Sequence, residues 1–226
     1  GVPTSRSLSL YVSRKEIVRR PWYSKGSKYL EPDIMVDNYA AIATRVAPSF
    51  LRVGQLELFA RRVKNNSHNE ALNELQIIVQ HLINRNYKDE IDSNNSFIRK
   101  VIDLAFFYRE RLIHLITNWM RVGYCQGNFN SDNCAAGGYT LDYGPFGFCE
   151  LFDPRFQPWT GGGEHFSFFN QPSAAAINFK TFCSSLIPLL SQSKQDQEKL
   201  YQIEKDFSEL MNKELMKMWA NKLGLE

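Results

Sequence analysis

Residues 96 to 121 read SFIRKVIDLAFFYRERLIHLITNWMR. Apolar side chains recur at Val101, Ala105, Tyr108, Leu112, Leu115 and Trp119, alternating steps of four and three, which sets them on one face of an α-helix. A stripe this long predicts a central packing helix, and aromatic residues at that spacing belong to a core rather than to a cofactor box. Upstream, Ser67 with Glu70 forms a capping box for a helix over 71–87, whose face is Leu72, Leu75, Val79 and Leu82. Residues 55–64 also have helix-forming composition, with Leu56, Phe59 and Val63 at spacings of three and four. Downstream, Gly, Asn, Asp and Pro break the pattern over 122–172. An irregular stretch of that length is either functional or disordered, and its aromatic density argues for order. Two helices, about 174–191 and 195–223, finish the chain.

The first third reads differently. Ser5 to Val12 alternates polar and apolar residues, the period of a half-buried strand, and Ala40 to Val46 is a short apolar run typical of a buried one. A polar connection with Pro21, Gly26 and Pro32 lies between them, so the segment resembles the tail of a mixed sheet. Strands followed by a run of helices give an α+β fold.

With 226 residues, 43% apolar and 23% charged, the chain can bury a sizeable core in one large domain or two lobes, which excludes disordered, collagenous and disulfide-scaffold classes. The longest uninterrupted apolar runs, such as 40–43 and 186–190, fall far short of the roughly 20 residues of a membrane span, so none is expected. The opening GVPTSRSLSLYVSRK has no signal-peptide core and no initiator methionine, so Gly1 reads as a cut end. Cys125, Cys134, Cys149 and Cys183 form no CxxC pair and have no histidine at ligand spacing, the pattern of reduced thiols in an intracellular protein. The net charge of +3 divides unevenly: residues 1–64 carry 12 basic against 5 acidic residues, and the remainder 15 against 19. The basic end suits an anion. Zinc-finger, helix-turn-helix and RRM-like patterns are missing, which disfavours nucleic acid. A phosphate-bearing small molecule and a solvated basic surface both remain.

Within the irregular stretch, Asp132 and Asn133 precede Asp142 with Gly137 and Gly138 midway. A glycine turn folding 139–141 back on 134–136 as a hairpin would bring Asn133 and Asp142 together. One carboxylate and one amide oxygen match magnesium, which keeps few protein ligands beside substrate phosphates. Asp132 would point the other way, free to act as a base. Turn formation is the alternative use of Asp and Asn in such loops.

Five blocks carry a resemblance: Gly1-Val-Pro-Thr-Ser-Arg-Ser-Leu8, Thr44-Arg-Val-Ala-Pro-Ser-Phe-Leu-Arg-Val-Gly54, Asn130-Ser-Asp-Asn133, Asp142-Tyr-Gly-Pro-Phe-Gly-Phe148 and Asn170-Gln-Pro172. In this order they resemble the selenoprotein O family across residues 1–172. The resemblance implies a protein-kinase-like fold once labelled a pseudokinase. Residues 1–64 would then be the C-terminal part of an N-lobe, and 65–226 a helical C-lobe bearing the catalytic and metal loop 122–172. It implies transfer of AMP from ATP to Ser, Thr or Tyr hydroxyls of proteins, with the nucleotide flipped relative to kinases. Asp132 falls on the family's catalytic base, Asn133 and Asp142 on its magnesium (or manganese) ligands, and Arg45 and Arg52 on its nucleotide-phosphate arginines. Arginine suits that role because its planar fork grips phosphate bidentately.

The adjacency of Asp132 and Asn133 departs from the HRDxxxxN spacing of kinases and disfavours ordinary phosphotransfer. Gln126 and Ser131 replace His and Thr of many members. The family's glycine-rich loop, lysine and glutamate lie upstream of the first block, and its redox-active cysteine or selenocysteine motif lies beyond the last helices. A partial copy inactive on its own is therefore expected. A non-catalytic pseudokinase scaffold is the alternative. The glycines at 161–163 are not a phosphate loop, since no Lys-Ser/Thr follows them, and Glu164 and His165 carry no assigned role. Cytoplasmic residence in a bacterium, or a mitochondrial one in a eukaryote, goes with the resemblance.

Overall fold

The computed structural model describes residues 1–26, 32–141, 143–159 and 164–225. The chain divides into a unit of residues 5–47 and a second of residues 1–4 and 48–226.

The smaller unit is an antiparallel ribbon of β1 (Arg6–Trp22) and β2 (Ile34–Val46), with Leu10 opposite Ala43, Tyr11 opposite Ile42 and Trp22 opposite Ile34. Its register shifts between Val12 and Ile17, where Ser13 Oγ accepts the amide of Glu16 at 2.9 Å. Among the described residues this is a two-stranded sheet, and the strand over 40–46 is not buried in it: Ile42 is 66% exposed and Leu10 67%. Two strands alone cannot cover their own faces. One end is tied by Arg45, whose Nε donates to Ser5 Oγ at 2.9 Å and whose Nη2 donates to the Ser5 carbonyl.

The larger unit contains α1 (Val53–Lys64), α2 (Ala71–Asn86), α3 (Phe97–Val122), the short β3 (Tyr124–Cys125) and β4 (Gly147–Phe148), then α4 (Gln171–Leu186), α5 (Lys194–Lys205) and α6 (Phe207–Leu223). The described chain is thus α+β, mostly helical, with small antiparallel sheets. Helix α3 is the packing axis the periodicity predicts. Ser96 Oγ caps it by accepting the Arg99 amide at 3.3 Å, Gly123 ends it at φ +74°, and all six predicted face residues are buried. Tyr108 packs on Phe182 with ring centres 4.2 Å apart, and Trp119 meets Phe129 edge-on at 5.0 Å. Truncating Trp119 to alanine would cost about 3–5 kcal/mol.

Three local expectations change. Ser67 does not cap α2, because its own amide donates to Arg62 O and closes α1 behind the left-handed Asn66 (φ +50°), leaving Glu70 at the helix start. Leu72 is 45% exposed, and Ala71 takes its place on the buried face beside Leu75, Val79 and Leu82. The last predicted helix is divided at Asp206 into α5 and α6, although the backbone bonds from Asp206 N–H to Gln202 O at 3.1 Å and from Leu210 N–H to Asp206 O at 3.0 Å continue across the division. Beyond the division Phe207 stacks on Phe179 at 4.8 Å.

One segment, Phe168–Leu190, is long and apolar enough to cross a membrane by length and composition, which uninterrupted runs did not reveal. Half of it is buried within the fold. Its polar residues Gln171 and Asn178 are 0% and 2% exposed and hydrogen-bonded inside, as in a core helix.

Candidate active site

The loop 126–133 is built from its own side chains. Asn130 Oδ1 accepts the amides of Asp132 at 3.0 Å and Asn133 at 3.2 Å, closing a single 3-10 turn over Ser131–Asn133. Asn133 Nδ2 donates to Asn128 O at 3.0 Å, which leaves its Oδ1 as the remaining acceptor. Asn178 Nδ2 donates to Phe129 O at 2.9 Å, fastening the loop to α4. Gln171 does the same upstream, accepting the Gln126 amide at 3.0 Å and donating to Tyr124 O at 2.9 Å.

Beyond the loop, residues 134–136 do not pair with 139–141, so the predicted hairpin does not form among the described residues. They pair with the entrance to α1: Val53 donates to Cys134 O and Ala136 to Leu51 O, both at 2.9 Å, with Arg52 opposite Ala135. The glycine turn itself is present. Gly138 donates to Ala135 O at 3.1 Å with φ +75°, and Arg111 braces the turn through Gly137 O at 3.0 Å. After the turn, Thr140 goes to the N-terminal segment, its amide donating to Pro3 O at 2.9 Å while Trp119 Nε1 donates to its Oγ1 at 2.9 Å.

That pairing sets α1's first turn against the loop. A β-carbon on Gly54 would overlap Asp132 Oδ1 and lie 3.2 Å from its Cγ and 3.3 Å from Ser131 Oγ. Ser131 Oγ makes a long contact of 3.5 Å to Glu57 Oε2 one turn further along α1. The Arg52 amide donates to Gln55 Oε1 at 2.9 Å, which caps the helix. Among the described residues no hydrogen bond or ion pair is found for the half-buried Arg52 guanidinium, an arrangement suited to an incoming anion.

Beneath the loop the surroundings are apolar. Burial pushes the Cys134 thiol up to about 12, and its Sγ lies 3.2 Å from Tyr108 OH. Burial likewise raises Tyr87, whose hydroxyl donates to Ala136 O at 2.8 Å. All four cysteines are free thiols.

Of the residues singled out in the sequence, Arg52, Asp132 and Asn133 belong to this one assembly. Arg45 lies in the separate ribbon, engaged with Ser5. Asp142 lies outside the described residues, as do 160–163 of the glycine run. Its neighbours are held: Leu141 is 2% exposed, and Tyr143 OH meets Thr4 Oγ1 at 2.6 Å. Sequence reasoning missed Gly54, Glu57 and the capping role of Asn130. The signal for Gly54 was a glycine in the first turn of a helix without any turn to make.

The family resemblance implies a divalent cation at this loop. The donor chemistry fits: Asn133 Oδ1 is spared by the bond its Nδ2 makes, Asp132 is exposed, and the buried Asn128 Oδ1 has no partner. Among the described residues no cluster of three His, Cys, Asp or Glu forms a closed cage.

The family described as protein adenylyltransferase SelO matches residues 1–226. The chain is 31% identical over 229 residues to protein nucleotidyltransferase YdiU of Rhodopirellula baltica, covering all of this chain and 39% of that protein. It is 34% identical over 232 residues to the protein of the same name from Flavobacterium johnsoniae, again covering all of this chain and 39% of the relative. It is 30% identical over 237 residues to protein adenylyltransferase SelO-1, mitochondrial, of Danio rerio, covering all of this chain and 31% of that protein. The chain thus spans about two-fifths of the bacterial relatives' length. With every one of its residues matched, the chain belongs to the protein adenylyltransferase SelO family.

Proposed function

We propose that this chain carries the acceptor-activating half of an ATP-dependent protein adenylyltransferase of kinase-like architecture, with residues 1–64 in the N-lobe and 65–226 in the C-lobe. The observation that carries the reading is the pairing of 51–53 with 134–136. It gathers an arginine whose guanidinium has no partner among the described residues, a helix N-terminus and an exposed carboxylate around one loop.

Asp132 accepts the proton of a Ser, Thr or Tyr hydroxyl on the protein substrate. The hydroxyl oxygen forms a bond to the α-phosphorus of ATP as the bond from that phosphorus to the bridging oxygen breaks, and pyrophosphate leaves. Arg52 holds phosphate oxygens through charged hydrogen bonds, and Arg45 is the second nucleotide-phosphate arginine that the family resemblance implies. Asn133 and Asp142 would hold Mg2+ or Mn2+, which when bound neutralises charge on the phosphates. The N-terminus of α1, whose first amides already donate to Gln55 Oε1, Cys134 O and Arg52 O, adds only the field of its helix dipole beside Asp132 and the anion. The adjacency of Asp132 and Asn133 supports AMP transfer over ordinary phosphoryl transfer.

Intact-mass spectrometry of an acceptor protein incubated with ATP, magnesium and the natural protein carrying this chain tests the reading. Addition of one AMP is expected. An unmodified acceptor together with intact ATP binding would instead indicate a non-catalytic scaffold.

A further inference from the structure

A cavity of about 500 Å³ lies beside the Asp132 loop, between residues 129–131 and the outward side of α4. Phe129, Phe166, Ala174 and Ile177 make its apolar surface, and Asn130 and Ser131, the two residues before Asp132, also line it. None of the described residues lining it is Lys, Arg, Asp or Glu, and His165 is the one ionisable side chain among them. A triphosphate needs cations, so the anionic part of ATP is chemically excluded from this space.

We propose that this cavity is a subsite for the protein acceptor, seating an apolar side chain such as Leu, Met or Phe close in sequence to the hydroxyl that receives AMP; the proposal rests on the adenylyltransferase reading above. Two features select a polypeptide as occupant. First, the lining residues Asn130 and Ser131 directly precede Asp132 in the chain, so a residue of the acceptor seated here is a near neighbour of a hydroxyl at that carboxylate. Second, Asn178 lines the cavity at 2% exposure with its Nδ2 already given to Phe129 O, which leaves its Oδ1 as an acceptor for a peptide N–H. An apolar floor with a few placed polar atoms is the usual composition of a side-chain pocket. Ile177, 68% exposed on α4, is the side chain an occupant would cover.

The test uses the natural protein carrying this chain and fluorescein-labelled serine peptides that differ in having Leu or Asp next to the acceptor. Peptide binding is read by anisotropy and AMP transfer by mass. Wild type should favour the leucine peptide by about tenfold or more in affinity and in kcat/KM, as expected for burying one such side chain. Ile177→Glu, at an exposed position that folding does not need, should erase that preference while KM for ATP stays unchanged. If the leucine preference and its loss appear in binding without any AMP transfer, the subsite stands and the enzymatic reading falls. Transfer without any apolar preference overturns the subsite and leaves the enzymatic reading intact. A raised KM for ATP in Ile177→Glu, with peptide discrimination kept, assigns the cavity to the adenosine moiety and also overturns the proposal. Ser173→Ala, on the same wall, serves as a conservative second variant and should retain the leucine preference; its loss there would point to disturbed α4 packing and count against the subsite.

Discussion

Gly54 and Asp132 approach so closely that no side chain fits between them: a β-carbon on Gly54 would overlap Asp132 Oδ1. Gly54 lies in the first turn of α1 and is not among the glycines with positive φ, so its backbone does not require glycine. The close approach does. Gly54→Ala should therefore leave folding stability unchanged or raise it by up to about 1 kcal/mol, as helix propensity favours alanine. Meanwhile AMP transfer should fall by at least about tenfold, because a displacement of this size at a reacting group is costly. Urea melts read beside transfer kinetics check both signs, and a stable variant with normal kcat would remove Asp132's position from the mechanism.

The two arginines should separate. Arg52 engages no acceptor among the described residues, so Arg52→Ala should cost little stability and weaken ATP relative to adenosine by about 1.5–3 kcal/mol. Arg45 is bonded to Ser5, so Arg45→Ala should lower that same ratio and also loosen the ribbon. Calorimetric titrations with ATP and adenosine distinguish them. A stability loss with an unchanged ratio would make either arginine purely structural.

Gln171 joins α4 to the strand before the Asp132 loop at 0% exposure, accepting the Gln126 amide and donating to Tyr124 O. Gln171→Ala leaves those buried groups unpaired and should cost about 1–3 kcal/mol for each group left unsatisfied. Equilibrium urea unfolding measures it, and a change within experimental scatter would mean that water replaces the amide.

The thiols give a pH prediction. Burial raises Cys134 from 9.0 to about 12 and Cys125 from 9.0 to about 11. Above pH 9 the unfolded chain loses these protons first and so binds fewer of them. Native stability should therefore fall as pH rises from 9 through 11 and 12, and should be insensitive to these groups below 9. Partly exposed Cys149 should be the first to react with a thiol reagent at pH 8, with Cys134 protected until global unfolding. Cys134 labelling at the rate of Cys149 would contradict the packing described.

Helix α3 was legible from its apolar stripe because a buried helix imposes its period on the sequence for many turns. The ribbon was not. Alternation marks a strand but does not say whether anything covers it, and Leu10 and Ile42 are exposed although both are apolar. The predicted 134–141 hairpin failed because its backbone groups found partners far away, at Leu51–Val53 and Pro3, which spacing cannot reveal. Asp132 and Asn133 stand out by their spacing to Asp142, while their roles, and the choice of Arg52 as a candidate, rest on motif resemblance. Gly54 was hidden in plain view, since only the approach of a distant carboxylate gives it a reason.

The central claim is that AMP, not the terminal phosphate, moves to a hydroxyl activated by Asp132. The direct measurement incubates the natural protein carrying this chain with an acceptor protein, magnesium and ATP radiolabelled at either the α or the γ position, with Asp132→Ala alongside. The account predicts acceptor labelling from the α position alone, with the γ label released as pyrophosphate, and no labelling by Asp132→Ala. Labelling from the γ position, or undiminished α labelling by Asp132→Ala, would contradict it.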